Sequence, residues 1–295
     1  LPKLSDSLVG RMNVITLYPI SGAEAFGGRG DFIERVFKQN FKADSGKHKL
    51  SDVIRASTFP EISGADIHER TTWFDGYLTT ILQRDVRALA EIEKLSTLPN
   101  LLRILANRTG GLINDADIAR DAGLNPVTSR NYKILLKMLF LTFECAPWYR
   151  NIGKRLVKSP KGYMIDTLLL CHLLQYELSD LEINRLELFG HVLENFVATE
   201  LLKLMTFRDD KVDLFHFRTS DNKEVDFVLE KPNGQLTAIE VKKSDHVSKS
   251  DFKGLEELQR ITGNDFVCGV VFYRGKNVVP FGRNLWAVPI SNLWL

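Results

Sequence analysis

The 295-residue sequence has few cysteines, few prolines and no long apolar run. Its three cysteines, Cys145, Cys171 and Cys268, are far apart and show neither a CxxC pair nor a spacing that pairs them with histidine. This spacing argues against a disulfide framework and a zinc site. Each cysteine lies among apolar residues, so we expect three buried thiols in a protein of the reducing cytoplasm.

Apolar runs such as "MIDTLLLCHLL" are shorter than the roughly 20 residues that cross a bilayer, so we expect no membrane insertion. Ten prolines and a 44% hydrophobic content are typical of a globular chain rather than a disordered one. The sequence begins with Leu1 rather than methionine, from which we expect a preceding segment in a longer protein.

The sequence also lacks a phosphate-binding P-loop. Gly46-Lys47 is followed by His48, and Gly275-Lys276 is followed by Asn277, so neither completes GxxxxGK[ST]. The glycine-rich stretch at 21–32 does not match this motif either. We therefore expect no ATPase activity from this chain alone.

Positive charge is concentrated in the middle of the chain. The net charge is only +2, but eleven Lys or Arg residues against four Asp or Glu lie between Arg103 and Lys161. This segment carries +7 and the remainder −5. A basic middle indicates either a nucleic-acid footprint or an ordinary solvated surface.

The length predicts two or three compact units. Apolar residues at helical intervals predict a helix within 66–94, and three further helical patterns follow between Leu95 and Leu141. Asn114 or Asp115 can cap the second, Gly123 can end it, and Asn125-Pro126 can begin the third. With the strand-like "LTFECAPWY" and a basic turn after it, this order predicts a winged helix.

A winged helix of this kind would present DNA-binding residues on its recognition helix and wing. Donors at the exposed start of that helix would read bases, and cations nearby would contact phosphates. The candidates are Thr128, Ser129, Arg130, Lys133, Lys137, Lys154, Arg155 and Lys158. The alternative is a winged helix that serves only for packing or for binding a protein partner.

The final third predicts the order αβββαβ, with a hairpin at Glu224 to Ser244 and a helix capped by Ser250. A three-residue loop, Pro232 to Gly234, would place Asp226 opposite Glu240. A two-residue Asn-Gly loop would instead place them on opposite faces of the sheet.

Two adjacent carboxylates repel one another unless a cation neutralises them, and Mg²⁺ or Mn²⁺ prefers such oxygen ligands. Lys242 could position water or stabilise charge on a phosphate. Asp226, Glu240 and Lys242 therefore predict phosphodiester hydrolysis, unless they form ordinary cross-strand ion pairs.

These residues resemble the motif of the PD-(D/E)xK nucleases, which include the Holliday-junction resolvases. The arrangement is Asp226, thirteen intervening residues, then Glu240-Val241-Lys242, with Val225 in place of the proline. The resemblance implies that Glu194, on the preceding helix, joins Asp226 and Glu240 as a metal ligand.

Residues from about 70 to 290 also resemble the DUF4143 region that follows an AAA-type ATPase domain in many prokaryotic proteins. The opening "SDSLVGRMNVITLYPISGAE" is similar to the end of that ATPase domain, with Arg11 at a matching basic position. The resemblance implies an α/β multidomain protein, with ATP bound only by a segment upstream of Leu1.

Three units follow from this resemblance: an ATPase remnant and helical lid at 1–94, a winged-helix domain at 95–165, and a nuclease-like domain at 166–295. The function it implies is DNA processing with Mg²⁺ or Mn²⁺ as cofactor. The alternative is a non-catalytic module that binds nucleic acid or a protein partner.

Overall fold

A computed structural model describes residues 15–85 and 95–295 and shows an α/β protein built around a mixed eight-stranded sheet. The helices are α1 (Gly22–Phe26), α2 (Phe32–Phe37), α3 (Leu50–Ala56), α4 (Ile67–Thr80), α5 (Leu98–Asn107), α6 (Asp115–Asp121), α7 (Pro126–Met138), α8 (Ile152–Val157), α9 (Thr167–Leu174), α10 (Leu178–Asn184), α11 (Leu186–Met205) and α12 (Lys253–Thr262). The strands are β1 (Thr142–Pro147), β2 (Lys161–Met164), β3 (Asp213–Arg218), β4 (Glu224–Glu230), β5 (Leu236–Val241), β6 (Phe266–Tyr273), β7 (Val279–Gly282) and β8 (Leu285–Pro289).

The strand order across the sheet is β2-β1-β3-β4-β5-β6-β8-β7. Strands β5, β6 and β8 are parallel, so their carboxyl ends meet at one edge, while β3, β4 and β5 form an antiparallel meander. The predicted order αβββαβ is confirmed as α11, β3, β4, β5, α12 and β6.

Each face of the central sheet packs against its own helix. Phe227 and Ile239 belong to the larger core cluster, together with Phe196 of α11. Val228 and Ala238 belong to the second cluster, together with Leu255 of α12. Apolar side chains on both faces of β4 and β5 explain why these strands are buried throughout their central residues.

The predicted helices of the middle segment are confirmed. The Asn114 side chain accepts hydrogen bonds from the backbone of α6, Gly123 has φ +64°, and Asn125 caps α7 through the N–H of Thr128. The segment expected to be a basic turn contains α8 and then β2, which pairs antiparallel with β1. A helix, a turn, a longer helix and a strand pair are present, and their assignment as a winged helix stays a prediction.

Two other expectations differ in detail. The helix expected within 66–94 is α4 followed by a π-helical turn to Asp85, and its remainder lies outside the described residues, as does Arg11. Ser250 does not cap α12, because Ser248 caps the 3₁₀ turn that precedes this helix. All three cysteines are buried as expected. Across 15–85 and 95–295, no helix has the length and apolar content needed to cross a membrane.

A buried ion pair joins α11 to the N-terminal part of the structure. Lys203 Nζ lies 3.0 Å from Glu200 Oε1 and donates to the carbonyls of Ile20 and Ser57 at 2.9 and 3.2 Å. Glu200 Oε2 accepts from the N–H of Gly22 at 2.8 Å. Both side chains are almost completely buried, so each charge depends on the other.

Lys203→Met should lower the free energy of unfolding by about 3–5 kcal/mol, because it leaves the Glu200 carboxylate buried without its cation. Chemical denaturation measures this loss. Lys211→Met is the matched control, since Lys211 is 73% exposed beside Asp213 and its loss should cost about 0.5 kcal/mol or less. Equal stability of both variants would contradict the role given to the pair.

Candidate functional site

The β4–β5 hairpin has the register of the three-residue loop. Phe227 pairs with Ile239 and Glu230 with Leu236, and the N–H of Lys231 donates to the carbonyl of Gln235. Gly234 has φ +86°, the conformation expected of glycine in such a loop. Of the two alternatives, the structure has the three-residue loop, and Asp226 is the first residue beyond the part of β4 that pairs with β5.

A β-bulge in β4 changes the direction in which the Asp226 side chain points. Strand β4 pairs Val228 with Phe215 but Val225 with Phe217, so it has one more residue than β3 in this interval. Bulges of this kind bend a strand and redirect a side chain. The simple alternation used in the sequence analysis therefore does not apply at Asp226.

The carboxylate of Asp226 is held on both sides. Its Oδ2 accepts a hydrogen bond from the N–H of Val241 at 2.9 Å, just past the point where β5 stops pairing with β4. Its Oδ1 lies 3.0 Å from Nζ of Lys161. Asp226 is therefore fixed between the end of β5 and a lysine from a distant part of the chain.

Lys161 is the residue of this site that the sequence analysis missed. Its ammonium lies 3.0 Å from Glu194, 2.6 Å from Glu224 and 3.0 Å from Asp226, and its side chain is only 3% exposed. Burial alone would lower the pKa of Lys161, but the charges of Asp226, Glu194 and Glu224 outweigh it and raise this pKa well above its usual value. Lys161 is therefore a permanent cation at the centre of three carboxylates.

Strand β1 explains how Lys161 reaches β4. Its first residues pair with β2, whereas Ala146 and Pro147 pair with β3, so β2 leaves the plane of the central sheet. The rings of Tyr163 on β2 and Phe227 on β4 are 5.7 Å apart, which places β2 over the face of β4. No local sequence pattern signals this fold-back.

Glu194 lies on α11, on the same side of the sheet as β2. Its Oε1 accepts a hydrogen bond from the Tyr163 hydroxyl at 2.7 Å in addition to the ion pair with Lys161. Gly110, with φ +76°, passes so close that a Cβ there would lie 3.0 Å from Glu194 Oε2. Burial, and then the charge of Asp226, raise the pKa of Glu194 to about 7.

Glu240 and Lys242 form a second ion pair at the end of β5. Lys242 Nζ lies 2.8 Å from Glu240 Oε1, while Glu240 Oε2 is buried with no hydrogen-bond partner among the residues described. Burial, and then the charge of Asp226, raise the pKa of Glu240 to about 8. The structure thus brings Asp226, Glu240, Lys242 and Glu194 into one charged cluster.

This cluster has more acids than cations. Four carboxylates, those of Glu194, Glu224, Asp226 and Glu240, surround two ammonium groups, and Arg218 adds a third cation at 3.5 Å from Glu224. Burial is the main cause of the raised pKa values of Glu194 and Glu240, and the negative charge of Asp226 adds to it.

A hard divalent cation fits the chemistry of this donor set. The partnerless oxygen of Glu240 and the carboxylate of Asp226 are the ligand type that Mg²⁺ prefers. The described parts of the chain contain no cluster of three or more His, Cys, Asp or Glu side chains arranged to hold a metal. A two-carboxylate site remains compatible with this, because Mg²⁺ is usually held by one or two carboxylates together with substrate phosphates.

Most of the predicted DNA-binding cations are paired with carboxylates. Arg130 and Lys133 both contact Asp115, and Lys137 lies 2.8 Å from Glu144. Arg155 pairs with Glu230, and its guanidinium stacks on the rings of Trp148 and Phe215 at 5.5 and 4.6 Å.

The start of α7 is less accessible than expected. Ser129 is completely buried, so the expectation that it is exposed is wrong, and the backbone of Thr128 is engaged in the helix cap. Lys154 and Lys158 are exposed and form no ion pair with the described residues. Val127, Ile134 and Met138 are exposed apolar side chains on the same helix.

Lys161→Met should lower the free energy of unfolding by about 3–5 kcal/mol at pH 8, because Asp226, Glu194 and the partly exposed Glu224 would then face one another without the Lys161 ammonium. The loss should be smaller at pH 5.5. The pKa of Glu194 is already raised to about 7, and removing the ammonium raises it further, so protonation of Glu194 relieves the repulsion as the pH falls.

Chemical denaturation at the two pH values measures both effects. Lys137→Met, at an ion pair whose lysine is 52% exposed, is the control and should change stability little. The same loss at both pH values would mean that the packing of the Lys161 stem is responsible, rather than its charge.

Two family models match the chain. Residues 47–180 match a domain of unknown function, DUF8612, and residues 189–293 match a second domain of unknown function, DUF4143. The resemblance assigned residues from about 70 to 290 to one DUF4143 region. Residues 47–180 instead match a separate family model. No solved structure matches the chain.

Relatives are found in several bacteria. Uncharacterized proteins of Mycobacterium bovis and Mycobacterium tuberculosis are each 28% identical over 242 residues, which is 81% of this chain and 52% of the relative. An uncharacterized protein of Haemophilus influenzae is 26% identical over 255 residues, 83% of this chain and 57% of that protein. The chain spans about half the length of the curated relatives it matches.

The DUF4143 model covers the whole segment that carries Glu194, Asp226, Glu240 and Lys242. The chain therefore contains a DUF4143 domain over residues 189–293.

Proposed function

We propose that this chain is the nucleic-acid-processing part of a larger protein and that its charged cluster hydrolyses phosphodiester bonds in DNA. The observation that carries the proposal is the buried oxygen of Glu240 that has no hydrogen-bond partner among the described residues, in a cluster where acids outnumber cations. Such a cluster gains stability from an additional cation. The resemblance of Asp226, Glu240 and Lys242 to the PD-(D/E)xK motif supports the same reading.

Asp226 and Glu240 would hold Mg²⁺ or Mn²⁺. The ion would supply positive charge that neutralises the oxygens of a phosphodiester and favours attack by water. The Val241 amide fixes the orientation of Asp226, so little reorganisation is needed to present its carboxylate.

Lys242 and Glu194 would act beside these ligands. The Lys242 side chain is 33% exposed at the carboxyl edge of the sheet, where its ammonium can approach a phosphate and stabilise its developing charge. The Tyr163 hydroxyl and Lys161 orient Glu194, which would support the metal site from its position on α11. Lys161 neutralises Asp226 and Glu194 when no other cation is present.

The larger protein would be an AAA-type ATPase in which this chain is the C-terminal part. The resemblance of its opening segment to the end of such a domain supports this assignment. ATP would then be bound by a segment upstream of Leu1, and not by this chain.

Plasmid cleavage tests the nuclease proposal. The chain should cleave DNA in Mg²⁺ or Mn²⁺, EDTA should abolish cleavage, and Asp226→Asn, Glu240→Gln and Lys242→Met should each reduce the rate about a hundredfold or more. Asp213→Asn, which removes a carboxylate that is 47% exposed on β3, is the control and should leave the rate unchanged. Cleavage that is equal in all of these proteins would remove the catalytic claim.

One observation favours a second function, a non-catalytic nucleic-acid-binding module. Both oxygens of Asp226 and Oε1 of Glu194 already have partners within the protein, so the ion pairs alone could serve to hold β2 against α11 and β4. If this second function is correct, DNA binding should be unchanged by EDTA and by Asp226→Asn, and the wild type should not cleave DNA. Salt-dependent fluorescence anisotropy with a labelled DNA measures it. A complete absence of DNA binding would favour a protein partner, for which the exposed apolar residues of α7 are the natural contact.

A further inference from the structure

Three loops at the carboxyl edge of the parallel strands are rich in lysine. They follow β5, follow β6 and connect α2 to α3, and they cover residues 242–249, 274–276 and 42–49. Together they contain eight Lys or Arg residues and only two Asp. This positive charge is denser than that of the segment from Arg103 to Lys161.

Hydrogen bonds join the three loops into one surface. The N–H of Asp44 donates to the carbonyl of Lys276 at 2.8 Å, and the N–H of Arg274 donates to the carbonyl of Ser244 at 3.0 Å. Two Gly-Lys pairs of the sequence, Gly46-Lys47 and Gly275-Lys276, meet here, because a Cβ on Gly46 would lie 3.8 Å from Nζ of Lys276. Segments that are more than 200 residues apart in the chain thus present their lysines together.

A polar cavity of about 380 Å³ opens in this surface. Lys49, Lys276, Arg274 and His48 line it, and their charges exceed those of the two acids there, Asp44 and Glu182. Arg274 is paired with Glu182. The cavity is large enough to admit a phosphate group with part of its sugar.

Most lysines of this surface have no carboxylate partner among the described residues, and Lys242, which pairs with Glu240, is the exception. Lys47, Lys49 and Lys276 are exposed, and none of them forms an ion pair with any residue in the described part of the chain. Arg130, Lys133 and Lys137 on α7, in contrast, each contact a carboxylate. Unpaired cations bind a polyanion more strongly, because no internal ion pair has to be broken first.

The surface is continuous with the charged cluster. Lys242, which pairs with Glu240, donates its N–H to the carbonyl of Phe272 at the end of β6, and Arg274 follows two residues later. Neighbouring strands are about 5 Å apart, so the cavity begins roughly one strand away from Glu240. Ligands of open α/β sheets bind in this position, outside the carboxyl ends of parallel strands.

We propose that the loops 42–49, 242–249 and 274–276 bind the phosphodiester backbone of a nucleic-acid strand, with Lys49 and Lys276 at the cavity as principal contacts. The strand would run across the carboxyl edge of β5, β6 and β8 toward Glu240, rather than along α7. The inference rests on the proposed function for the identity of the ligand, but it concerns binding and does not require cleavage.

Two matched double variants test it. Lys49→Gln/Lys276→Gln and Lys154→Gln/Lys158→Gln each remove two exposed, unpaired lysines, one pair from the carboxyl edge and the other from α8 and the segment before β2. The affinity for a fluorescein-labelled single-stranded oligonucleotide is measured by anisotropy in EDTA, between 0.05 and 0.3 M salt. The far-ultraviolet circular dichroism of both variants verifies that they are folded.

The carboxyl-edge variant should bind about tenfold more weakly at 0.1 M salt, and the slope of log K against log salt should fall by about 1.4, as expected for two lost contacts to a single strand. The Lys154/Lys158 variant should bind as the wild type does. EDTA prevents metal-dependent cleavage, so a failed plasmid assay leaves this result intact.

Three results would overturn the inference. Unchanged affinity and slope in the carboxyl-edge variant would remove these lysines from the binding surface, and a loss confined to the Lys154/Lys158 variant would place the nucleic acid on the predicted winged helix instead. Binding of the wild type to vesicles containing anionic lipid, without binding to the oligonucleotide, would identify a membrane surface as the ligand.

Discussion

The contact on which this site depends is the burial of the Lys161 ammonium among Glu194, Glu224 and Asp226. A buried lysine is stable only with carboxylate partners, and carboxylates this close together are stable only with a cation. The contact joins β2, α11 and β4, which come from separate parts of the sequence. It therefore fixes the position of Glu194 relative to Asp226 and, with it, the geometry of the candidate site.

The balance of acids and cations in the cluster relates the Lys161 contact to the phosphodiester hydrolysis that we propose. Lys161, Lys242 and Arg218 face four carboxylates, and burial, then the charge of Asp226, raise the pKa values of Glu194 and Glu240 to about 7 and 8. A buried oxygen without a partner is costly unless something supplies the missing interaction. Adjacent loops at the same edge carry unpaired lysines and a cavity. Acids near the end of β5 and cations around them are the arrangement expected where a phosphodiester approaches a divalent ion.

The sequence predicted much of the fold because its signals are local. Helical spacing predicted α5, α6 and α7, the residues Asn114, Gly123 and Asn125 predicted their limits, and alternation predicted β3 to β5. Turn chemistry at Pro232 to Gly234 left two hairpin registers open, and the structure has the register of the three-residue loop. The family motif then selected Asp226, Glu240 and Lys242. The bulge at Asp226 was not predicted, because it depends on how β4 pairs with β3 rather than on any residue preference.

By itself, then, the sequence determined most of the helices and strands and, through the family motif, the identity of Asp226 and Glu240, since these signals lie within about 15 residues of one another. Only the tertiary structure decided which cation meets those acids, that Ser129 is buried, and that the loops of Lys49 and Lys276 form one surface. These features arise from contacts between segments 30 to more than 200 residues apart. The energy of such contacts depends on burial and on the charges brought together, and neither exists until the chain is folded.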